Sequence, residues 1–341
     1  MRVLWISPWL RSLSRVHLSA LESLGVPTML ITSGAHPESG RWDGREVLIE
    51  QRLRSLPSWP GFARAYREAR AFHPDVVVFE LPRDPRFAAF SRLAPVVWLQ
   101  HDAAPHDATQ VEPAWLNRYR DWVRRHAARV VTFSDYVADE LGAIRRPAVV
   151  GLTSDFPDDQ VPAPAPAEQR RDFVLAGRIH PYKNLPVVLA AWQRHRAGAG
   201  YRGDELLLFG AGDPGPLPDR VRHVPGAYRY ADLLARLRCA KAALVHYRAA
   251  SQSGAQVLAL QHGVVPIVST AGALPAFQPP HEAPIGVDDV AGLAAAFDSL
   301  ADPTVAATRG LAAAAHYRAE FANTVIATRL RAVLAETVTA R

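Results

Sequence analysis

Short apolar runs recur along the chain, and most of them do not alternate with polar residues. In the first half they cover residues 2–7, 26–32, 76–80, 96–102, 129–133 and 149–152. In the second half they cover residues 173–176, 205–209, 221–224, 243–245 and 266–269. Strands that are buried on both faces have this pattern, which is typical of parallel sheets covered by helices. The pattern therefore predicts two sheets with buried, parallel strands.

Segments with helical spacing separate these runs. The predicted helices cover residues 13–24, 62–72, 114–129, 135–141, 186–196, 231–238, 254–262, 289–300 and about 304–338. A strand–helix–strand alternation indicates an α/β protein. Between the halves, Pro162, Pro164 and Pro166 alternate with alanines, which is typical of a semi-rigid linker. We therefore predict two Rossmann-like domains, 1–157 and 172–310, joined by a linker at 158–171.

The composition indicates the cellular compartment of the protein and the class of its binding partner. The chain has 341 residues, with 49% hydrophobic and 21% charged residues, as expected for a globular protein. Its single cysteine, Cys239, excludes an intrachain disulfide and a Cys-based metal site. The sequence contains neither a signal-peptide pattern nor an apolar run long enough for a membrane span, so we expect a cytoplasmic protein. The net charge of +6 favours an anionic partner, and without a block of basic residues we expect no nucleic acid.

The stretch 173–192 combines a strand, a glycine, two cations and a helix start. Gly177 ends the strand, Arg178 follows it, and Lys183 precedes a helix that we expect to begin near Pro186. A helix N-terminus attracts anions through its free N–H groups and its dipole, and Arg and Lys add full charge. The chain has only two lysines, so a lysine at this point suggests that a compact ammonium is required. The stretch predicts a diphosphate site.

The same residues resemble a known family. Gly177-Arg178-Ile179 followed by Lys183-Asn184 is similar to the G-R-[LI]-x-x-x-K-[GN] motif of GT-B glycosyltransferases, especially family 4. The resemblance implies a GT-B fold, with two Rossmann-like domains whose parallel sheets face each other across a cleft. It also implies a last helix, 311–341, that packs back on the first domain. In the family, the Arg and Lys hold the diphosphate of a nucleotide-sugar co-substrate, and neither a metal nor another cofactor is generally needed.

Three later segments match the family in order. Gly210-Ala211-Gly212 resembles the family's G-x-G loop, where glycine lets the backbone approach a ligand. Tyr228 lies in a segment that resembles the strand, glycine and short helix beside the nucleotide base. Ser251, Ser253 and Gly254 precede the helix 254–262, and they suit a helix start that contacts a phosphate. We expect six of these residues around the donor: Gly210, Gly212, Tyr228, Ser251, Ser253 and Gly254.

The chain departs from the family at its two glutamates, which usually stand eight residues apart. One alignment places Ala250 and Leu258 at these positions, and a shift of two residues places Arg248 and Gln256 there. Both carboxylates are missing in either case. Gln256 is a candidate to replace the glutamate that receives the ribose hydroxyls. Because both glutamates are missing, the resemblance does not predict whether the reaction retains or inverts the configuration at the anomeric carbon.

Catalytic groups are expected at a strand end of the first domain. His101 and Asp102 follow a predicted strand, and His101 resembles the family's histidine near the transferred sugar. A reaction with inversion also needs a base for the acceptor hydroxyl. Candidates for that base are Asp102 and, more weakly, His106, Glu80 and His17. His180, beside Arg178, is a further candidate on the phosphate side.

These observations predict a metal-independent glycosyltransferase that moves a hexose from a nucleoside-diphosphate sugar to a glycan or lipid-linked acceptor, in bacterial cell-surface polysaccharide synthesis. One alternative is a non-catalytic partner subunit that binds a nucleotide sugar or glycan, and another is a GT-B sugar-nucleotide epimerase or hydrolase. Trp115 and Trp122, with several arginines, lie on the predicted helix 114–129. That helix either contacts the inner face of an anionic membrane or packs as an ordinary amphipathic helix.

Overall fold

The computed structural model describes residues 1–34, 42, 44–50, 55–103, 113–142, 146–227 and 229–340. The described chain divides into two compact units. Unit 1 contains Met1–Pro157 and Asn323–Arg341, and unit 2 contains Asp158–Ala322. Each unit has one parallel sheet. This agrees with its apolar runs, which do not alternate with polar residues and therefore suit strands that are buried on both faces.

Unit 1 has a seven-stranded parallel sheet in the order β3-β2-β1-β4-β5-β6-β7. The strands are Val3–Ile6 (β1), Thr28–Thr32 (β2), Glu46–Leu48 (β3), Val76–Glu80 (β4), Val96–Gln100 (β5), Arg129–Thr132 (β6) and Ala148–Val149 (β7). Its helices are Arg11–Ser23 (α1), Ser58–Phe72 (α2), Ala114–His126 (α3), Asp135–Glu140 (α4) and Asn323–Thr339, which we call α10. Ser134 caps α4 by accepting a hydrogen bond from the backbone of Val137, as its position before the helix predicts.

Unit 2 has a five-stranded parallel sheet in the order β10-β9-β8-β11-β12. The strands are Phe173–Ala176 (β8), Leu206–Phe209 (β9), Val221–Val224 (β10), Ala242–Val245 (β11) and Val265–Val268 (β12). The helices are Leu185–Ala197 (α5), Tyr230–Leu237 (α6), Gly254–Gln261 (α7), Val290–Leu300 (α8) and Pro303–Glu320 (α9). The core between the sheet, α5 and α8 is built on Phe173, Trp192 and Phe297, which are all fully buried.

The segment 158–171 is held to unit 2 over its length. Arg170 donates hydrogen bonds to the carbonyl oxygens of Ala165, Ala240 and Gly263, at 3.0, 2.9 and 2.7 Å. Asp158 accepts hydrogen bonds from Gln261 and Tyr317, at 2.8 and 2.9 Å. The alternation of proline and alanine predicted a linker, but these side-chain bonds make the segment part of a domain.

The Ala-rich end of the chain forms two helices rather than one. α9 ends at Glu320 in unit 2, and α10 begins at Asn323 in unit 1, so the chain passes between the units at 322/323 and not at 311. The Asn323 side chain donates a hydrogen bond to the hydroxyl of Thr153 at 2.8 Å. α10 packs on α1 through buried residues that include Ile326, Leu330 and Leu334.

Candidate functional site

Two loops at the carboxyl ends of β8 and β9 are packed against each other. The N–H of Ile179 donates to the carbonyl oxygen of Ala211 at 2.7 Å, and Gly210 and Gly212 have φ values of +145° and +121°. A Cβ atom on Gly210 would lie 2.1 Å from the oxygen of Gly177, and one on Gly212 would lie 2.4 Å from the oxygen of Ile179. The G-x-G glycines therefore serve the contact between the loops, which the sequence analysis attributed to a ligand.

Lys183 lies beneath the first of these loops, just before α5. Lys183 is 5% exposed, and its ammonium donates hydrogen bonds to the carbonyl oxygen of Ala176 at 3.2 Å and the hydroxyl of Tyr247 at 2.6 Å. A Cβ atom on Gly177 would lie 3.0 Å from this ammonium, and Gly177 has a φ of +109°. Glycine thus gives the loop both its left-handed conformation and the room for Lys183.

The partners of this ammonium are neutral. Its nitrogen lies 3.9 Å from the ring centroid of Tyr247 and 5.4 Å from that of Tyr182. No carboxylate of the described residues forms an ion pair with it. Burial, and then the nearby charge of Arg178, lower the pKa of Lys183 to about 8, against opposing contributions from Tyr182. Within the described part of the chain, this buried cation has no counter-ion, and such groups often mark functional sites.

The other lysine shows the contrasting arrangement. Lys241 is 4% exposed and forms a salt bridge with Asp204 at 2.7 Å, and it also donates to the carbonyl oxygen of Ala301 at 2.6 Å. Asp204 is 6% exposed. This buried pair is electrically balanced. Both lysines are thus buried, and only Lys183 lacks a carboxylate within the described chain.

Arg178 and His180 lie close to Lys183 along the chain. Arg178 is exposed, and it makes no hydrogen bond or ion pair with the described residues, so its guanidinium is available to a ligand. His180 is half-buried, and its ring stacks on that of Tyr182 with a centroid distance of 6.0 Å. Exposed Arg178 and buried Lys183 belong to the same loop between β8 and α5.

The N-terminus of α7 follows β11 at the same end of the sheet. Ser253 caps the helix by accepting a hydrogen bond from the N–H of Gln256, and Ser251 and Ser253 are 6% and 7% exposed. Gly254 is exposed, with no atom within 4 Å of an added Cβ. Burial raises the pKa of Tyr247, and an interaction of its hydroxyl with Ser253 opposes this rise. Through Tyr247, the helix start is thus connected to Lys183.

The structure does not bring every predicted donor residue to this site. Gln256 is fully buried, and its amide nitrogen donates to the carbonyl oxygen of Leu274 at 2.9 Å. The amide supports the segment that follows β12, so a ribose contact would require this core to open. Ala250 and Leu258 are also buried, at 5% and 4%. Arg248 is half-exposed and pairs with Asp288 at 2.8 Å. Tyr228 and His106 lie outside the described residues.

Unit 1 contains a buried histidine–carboxylate pair at the ends of β4 and β5. Nε2 of His101 lies 2.8 Å from a carboxylate oxygen of Glu80, and Glu80 is fully buried. The other carboxylate oxygen of Glu80 accepts hydrogen bonds from Trp5 Nε1 and Ser14 Oγ, both at 2.9 Å. Burial raises the pKa of Glu80, but the hydrogen bond and charge of His101 and the charge of His17 lower it to about 2. The ionised carboxylate thus keeps the proton of His101 on Nε2.

The other candidate bases of unit 1 differ in their surroundings. His17 is 1% exposed between the rings of Trp5 and Phe133, and burial lowers its pKa to about 4, so it is a packed and neutral histidine. Asp102 is half-buried, and its carbonyl oxygen accepts a hydrogen bond from Gln100 at 2.6 Å.

Sequence reasoning missed two roles in these sites. Tyr247 contacts the ammonium of Lys183, and its signal was an aromatic residue directly after the apolar run 243–245. Glu80 was ranked low as a base, but it orients His101. Its signal was an acidic residue that ends an otherwise apolar strand. Among the described residues, no group of three or more His, Cys, Asp or Glu side chains could hold a metal ion. No described helix is long and apolar enough to cross a membrane.

Comparisons with known proteins agree with this architecture. Residues 17–150 match the model of Glycosyltransferase Family 4. Sucrose-phosphate synthase from Thermosynechococcus elongatus has a TM-score of 0.75 with the chain, at 16% identity, with both chains fully covered. The chain has the GT-B fold of these proteins, and its first unit resembles Glycosyltransferase Family 4.

Two further solved structures share the fold of this chain. A glycosyltransferase from Rickettsia africae has a TM-score of 0.70 at 12% identity, with 100% of this chain and 99% of that chain covered. HepE from Anabaena, in complex with UDP and glucose, has a TM-score of 0.69 at 14% identity, with 98% and 100% covered. No curated protein sequence matches the chain significantly. At these identities the solved structures establish the fold, and the family match lies in unit 1.

Proposed function

We propose that the protein transfers a hexosyl group from a nucleoside-diphosphate sugar to a glycan or lipid-linked acceptor, in the synthesis of a bacterial cell-surface polysaccharide. The observation that carries the donor class is the buried ammonium of Lys183, which forms no ion pair with any carboxylate of the described residues and lies beneath Gly177 and beside exposed Arg178. A structurally similar protein, HepE, was solved in complex with UDP-glucose, which supports the same class of donor here.

The residues of the donor site have separate roles in this proposal. Lys183 and Arg178 neutralise the diphosphate as it gains charge on leaving, which is the kind of electrostatic stabilisation that contributes most to many enzymes. The N–H groups at the start of α7, near Ser251, Ser253 and Gly254, bind the same diphosphate. Because these groups supply the positive charge, we propose a metal-independent reaction with no cofactor besides the donor. Gly210 and Gly212 support the loop of Arg178, and we propose Tyr228 for the nucleotide base.

The acceptor chemistry is assigned to unit 1. His101, oriented by Glu80, is proposed to contact the acceptor or the transferred sugar through Nδ1, and Asp102 is the neighbouring candidate. In a transfer with inversion, Nδ1 would accept the proton of the acceptor hydroxyl, and the carboxylate of Glu80 would stabilise the resulting imidazolium. With both family glutamates absent from unit 2, this pair is the best-supported base of the described residues.

Two other functions make different predictions for turnover. A non-catalytic partner subunit would bind the donor without consuming it, and its lack of turnover would agree with the missing glutamates. An epimerase or hydrolase would release a free sugar or an epimer without an acceptor. Lys183 favours a protein that handles diphosphates over a pure scaffold, since a scaffold has no need for a buried cation that lacks a counter-ion among the described residues.

The donor class can be tested by thermal denaturation with UDP, GDP, dTDP, ADP and their sugars. A ligand at 100 times its Kd stabilises the folded state by about 2.7 kcal/mol, and we expect the matching nucleotide to raise Tm by about 5 °C or more. The shift should vanish in the Arg178→Ala, Lys183→Ala double variant. It should persist in Arg194→Ala, because exposed Arg194 lies near the other end of α5. If no nucleotide at millimolar concentration shifts the wild type, the donor site is wrong.

We also propose contact with the inner face of an anionic membrane. On α3, Trp115 and Trp122 are 52% and 50% exposed, and Arg118 and Arg125 are exposed beside them at helical spacing. Leu116 and Val123 are buried on the opposite side. An exposed aromatic stripe flanked by arginines suits the headgroup region of such a membrane, and this location would bring the enzyme to lipid-linked acceptors.

A further inference from the structure

The two buried lysines of unit 2 solve the same electrostatic problem in different ways. Lys241 has a carboxylate partner, Asp204. Lys183 has the carbonyl oxygen of Ala176 and the hydroxyl of Tyr247 instead. A carboxylate would cancel the charge of the ammonium, whereas neutral oxygens lower the cost of its burial and leave its charge available to an anion.

Tyr247 offers the ammonium two favourable contacts at once. Its hydroxyl accepts a hydrogen bond from Lys183 Nζ at 2.6 Å, and the same nitrogen lies 3.9 Å from its ring centroid. Tyr247 is 2% exposed, and its ring meets that of Tyr182 at 90° with centroids 5.7 Å apart. The ring is therefore fixed, and it holds the nitrogen in one place by both a hydrogen bond and a cation–π contact.

The phenol also connects the two halves of the donor site. The hydroxyl of Tyr247 interacts electrostatically with Ser253, which caps α7. The N–H of Arg248 donates to the carbonyl oxygen of Tyr182 at 2.8 Å, which fixes the loop after β11 to the segment that carries Lys183. The ammonium and the start of α7 are thus held in a constant relation through one side chain.

We propose that Tyr247 is a positioning residue for donor binding: its hydroxyl stands in place of a carboxylate counter-ion, holds the ammonium of Lys183 beneath the Gly177 loop, and keeps its charge available for the diphosphate. This inference rests on the proposed function of Lys183. The family resemblance does not supply it, because it depends on the phenol that follows β11 in this chain.

The Tyr247→Phe variant removes one oxygen and keeps the ring. Without this acceptor the charged form of Lys183 loses a strong hydrogen bond, so the pKa of Lys183 should fall below its value of about 8 by roughly one unit. The other groups that face the ammonium, Tyr182 and Arg178, are unchanged in the variant. Diphosphate affinity should fall by about tenfold at pH 8, and its decline with rising pH should begin at a lower pH than in the wild type.

The titration of Lys183 can be observed directly because the chain has only two lysines. Lysine labelled with ¹³C at Cε gives one NMR signal from Lys183 and one from Lys241. We expect the Lys183 signal to titrate at lower pH in Tyr247→Phe than in the wild type. The Lys241 signal should be unchanged, which also shows that unit 2 of the variant is folded.

Binding of UDP and of inorganic pyrophosphate, measured by calorimetry from pH 6.5 to 9.5, completes the test. Tyr201→Phe is the matched control, because it removes a phenol that donates to the Asp204 carbonyl oxygen and is not a partner of Lys183. This control should bind like the wild type. If the wild type binds and Tyr247→Phe binds with equal affinity, the role of Tyr247 is overturned whatever its NMR titration shows. If the wild type binds neither ligand, the proposed function fails and this inference fails with it.

Discussion

At the scale of single residues, the partner of a side chain decides its role. The chain uses arginine for nearly all its basic residues, and its two lysines are both buried. An ammonium is more compact than a guanidinium and can be enclosed by a few oxygen atoms. The scarcity of lysine therefore indicates enclosure, and not by itself a ligand. The absence of a described carboxylate at Lys183 is what distinguishes this lysine, which we propose to bind a ligand, from the structural pair of Lys241 and Asp204.

We expect opposite effects on stability from Lys183→Met and Lys241→Met at pH 7. Lys183→Met removes a cation whose burial lowers its pKa from 10.5 to about 8, so it should cost nothing or stabilise, by at most about 3 kcal/mol. Lys241→Met leaves the carboxylate of Asp204 buried without its counter-ion, with only a backbone hydrogen bond from Asp172, and should destabilise by about 3–5 kcal/mol. Denaturation by urea measures both. Equal destabilisation by the two variants would contradict the functional role of Lys183.

The same variant also has a pH signature. Between about pH 8 and 10.5 the unfolded chain keeps the proton of Lys183 while the folded chain has lost it, so wild-type stability should gain a contribution as the pH rises. Lys183→Met should lack this gain.

At the scale of elements, the site depends on how closely two loops approach. The loop after β9 contacts the loop after β8 at Gly210, whose Cα faces the carbonyl oxygen of Gly177. Gly177 in turn leaves room for the ammonium of Lys183. We therefore expect a change in the G-x-G loop to reach the ammonium of Lys183 through these backbone contacts, although the loop does not contact the ammonium directly.

Gly210→Ala should destabilise unit 2 by about 3 kcal/mol or more and weaken UDP binding, because its Cβ would lie 2.1 Å from a backbone oxygen. Gly203→Ala is the matched control. Gly203 has a φ of +85° and nothing within 4 Å of an added Cβ, so its substitution should cost only the strain of a left-handed residue, about 1 kcal/mol. Thermal denaturation and UDP calorimetry measure the two effects. Similar costs for both variants would show that the loop contact is unimportant.

At the scale of the whole molecule, unit 1 is discontinuous in sequence, because it contains both the first and the last segments of the chain. The chain completes unit 1 only after it has passed through unit 2, since α10 packs on α1 and Asn323 bonds to Thr153. The buried residues of α10 pack against the other elements of unit 1. The net charge of +6 and the exposed tryptophans of α3 are the basis for the proposed location of the molecule at an anionic membrane surface.

Sedimentation with lipid vesicles tests this location. We expect the wild type to bind vesicles that contain phosphatidylglycerol, more weakly as salt increases, and to ignore neutral phosphatidylcholine vesicles. Reversing two charges in Arg118→Glu, Arg125→Glu should weaken binding by at least about tenfold, at roughly 1 kcal/mol for each arginine. Trp115→Ser, Trp122→Ser should also weaken it, whereas Leu311→Ser, an exposed residue of α9, should not. Equal binding of all variants would remove α3 from the proposal.

Sequence reasoning found most elements and missed those whose pattern is short. Strands β4 and β8 have their predicted bounds because a run of four or five apolar residues ends abruptly at a polar residue or a glycine. Strand β3 was missed, since its three residues lie at the sheet edge and only Val47 is buried. The 3-10 helix Pro85–Arg92 was missed because its turns do not follow α-helical spacing. Edges and tight turns depend on neighbours that the local sequence does not contain.

The sequence by itself determined the two parallel sheets and the position of Arg178 and Lys183 at a helix start, because burial on both faces and the chemistry of helix ends are local properties. Only the tertiary structure decided that Gln256 is a core residue, that Gly210 and Gly212 join two loops, and that Lys183 rests on Tyr247, 64 residues away. These outcomes depend on contacts between distant segments. The charge left on a buried group is such an outcome, because it is set by which partner the fold places beside it.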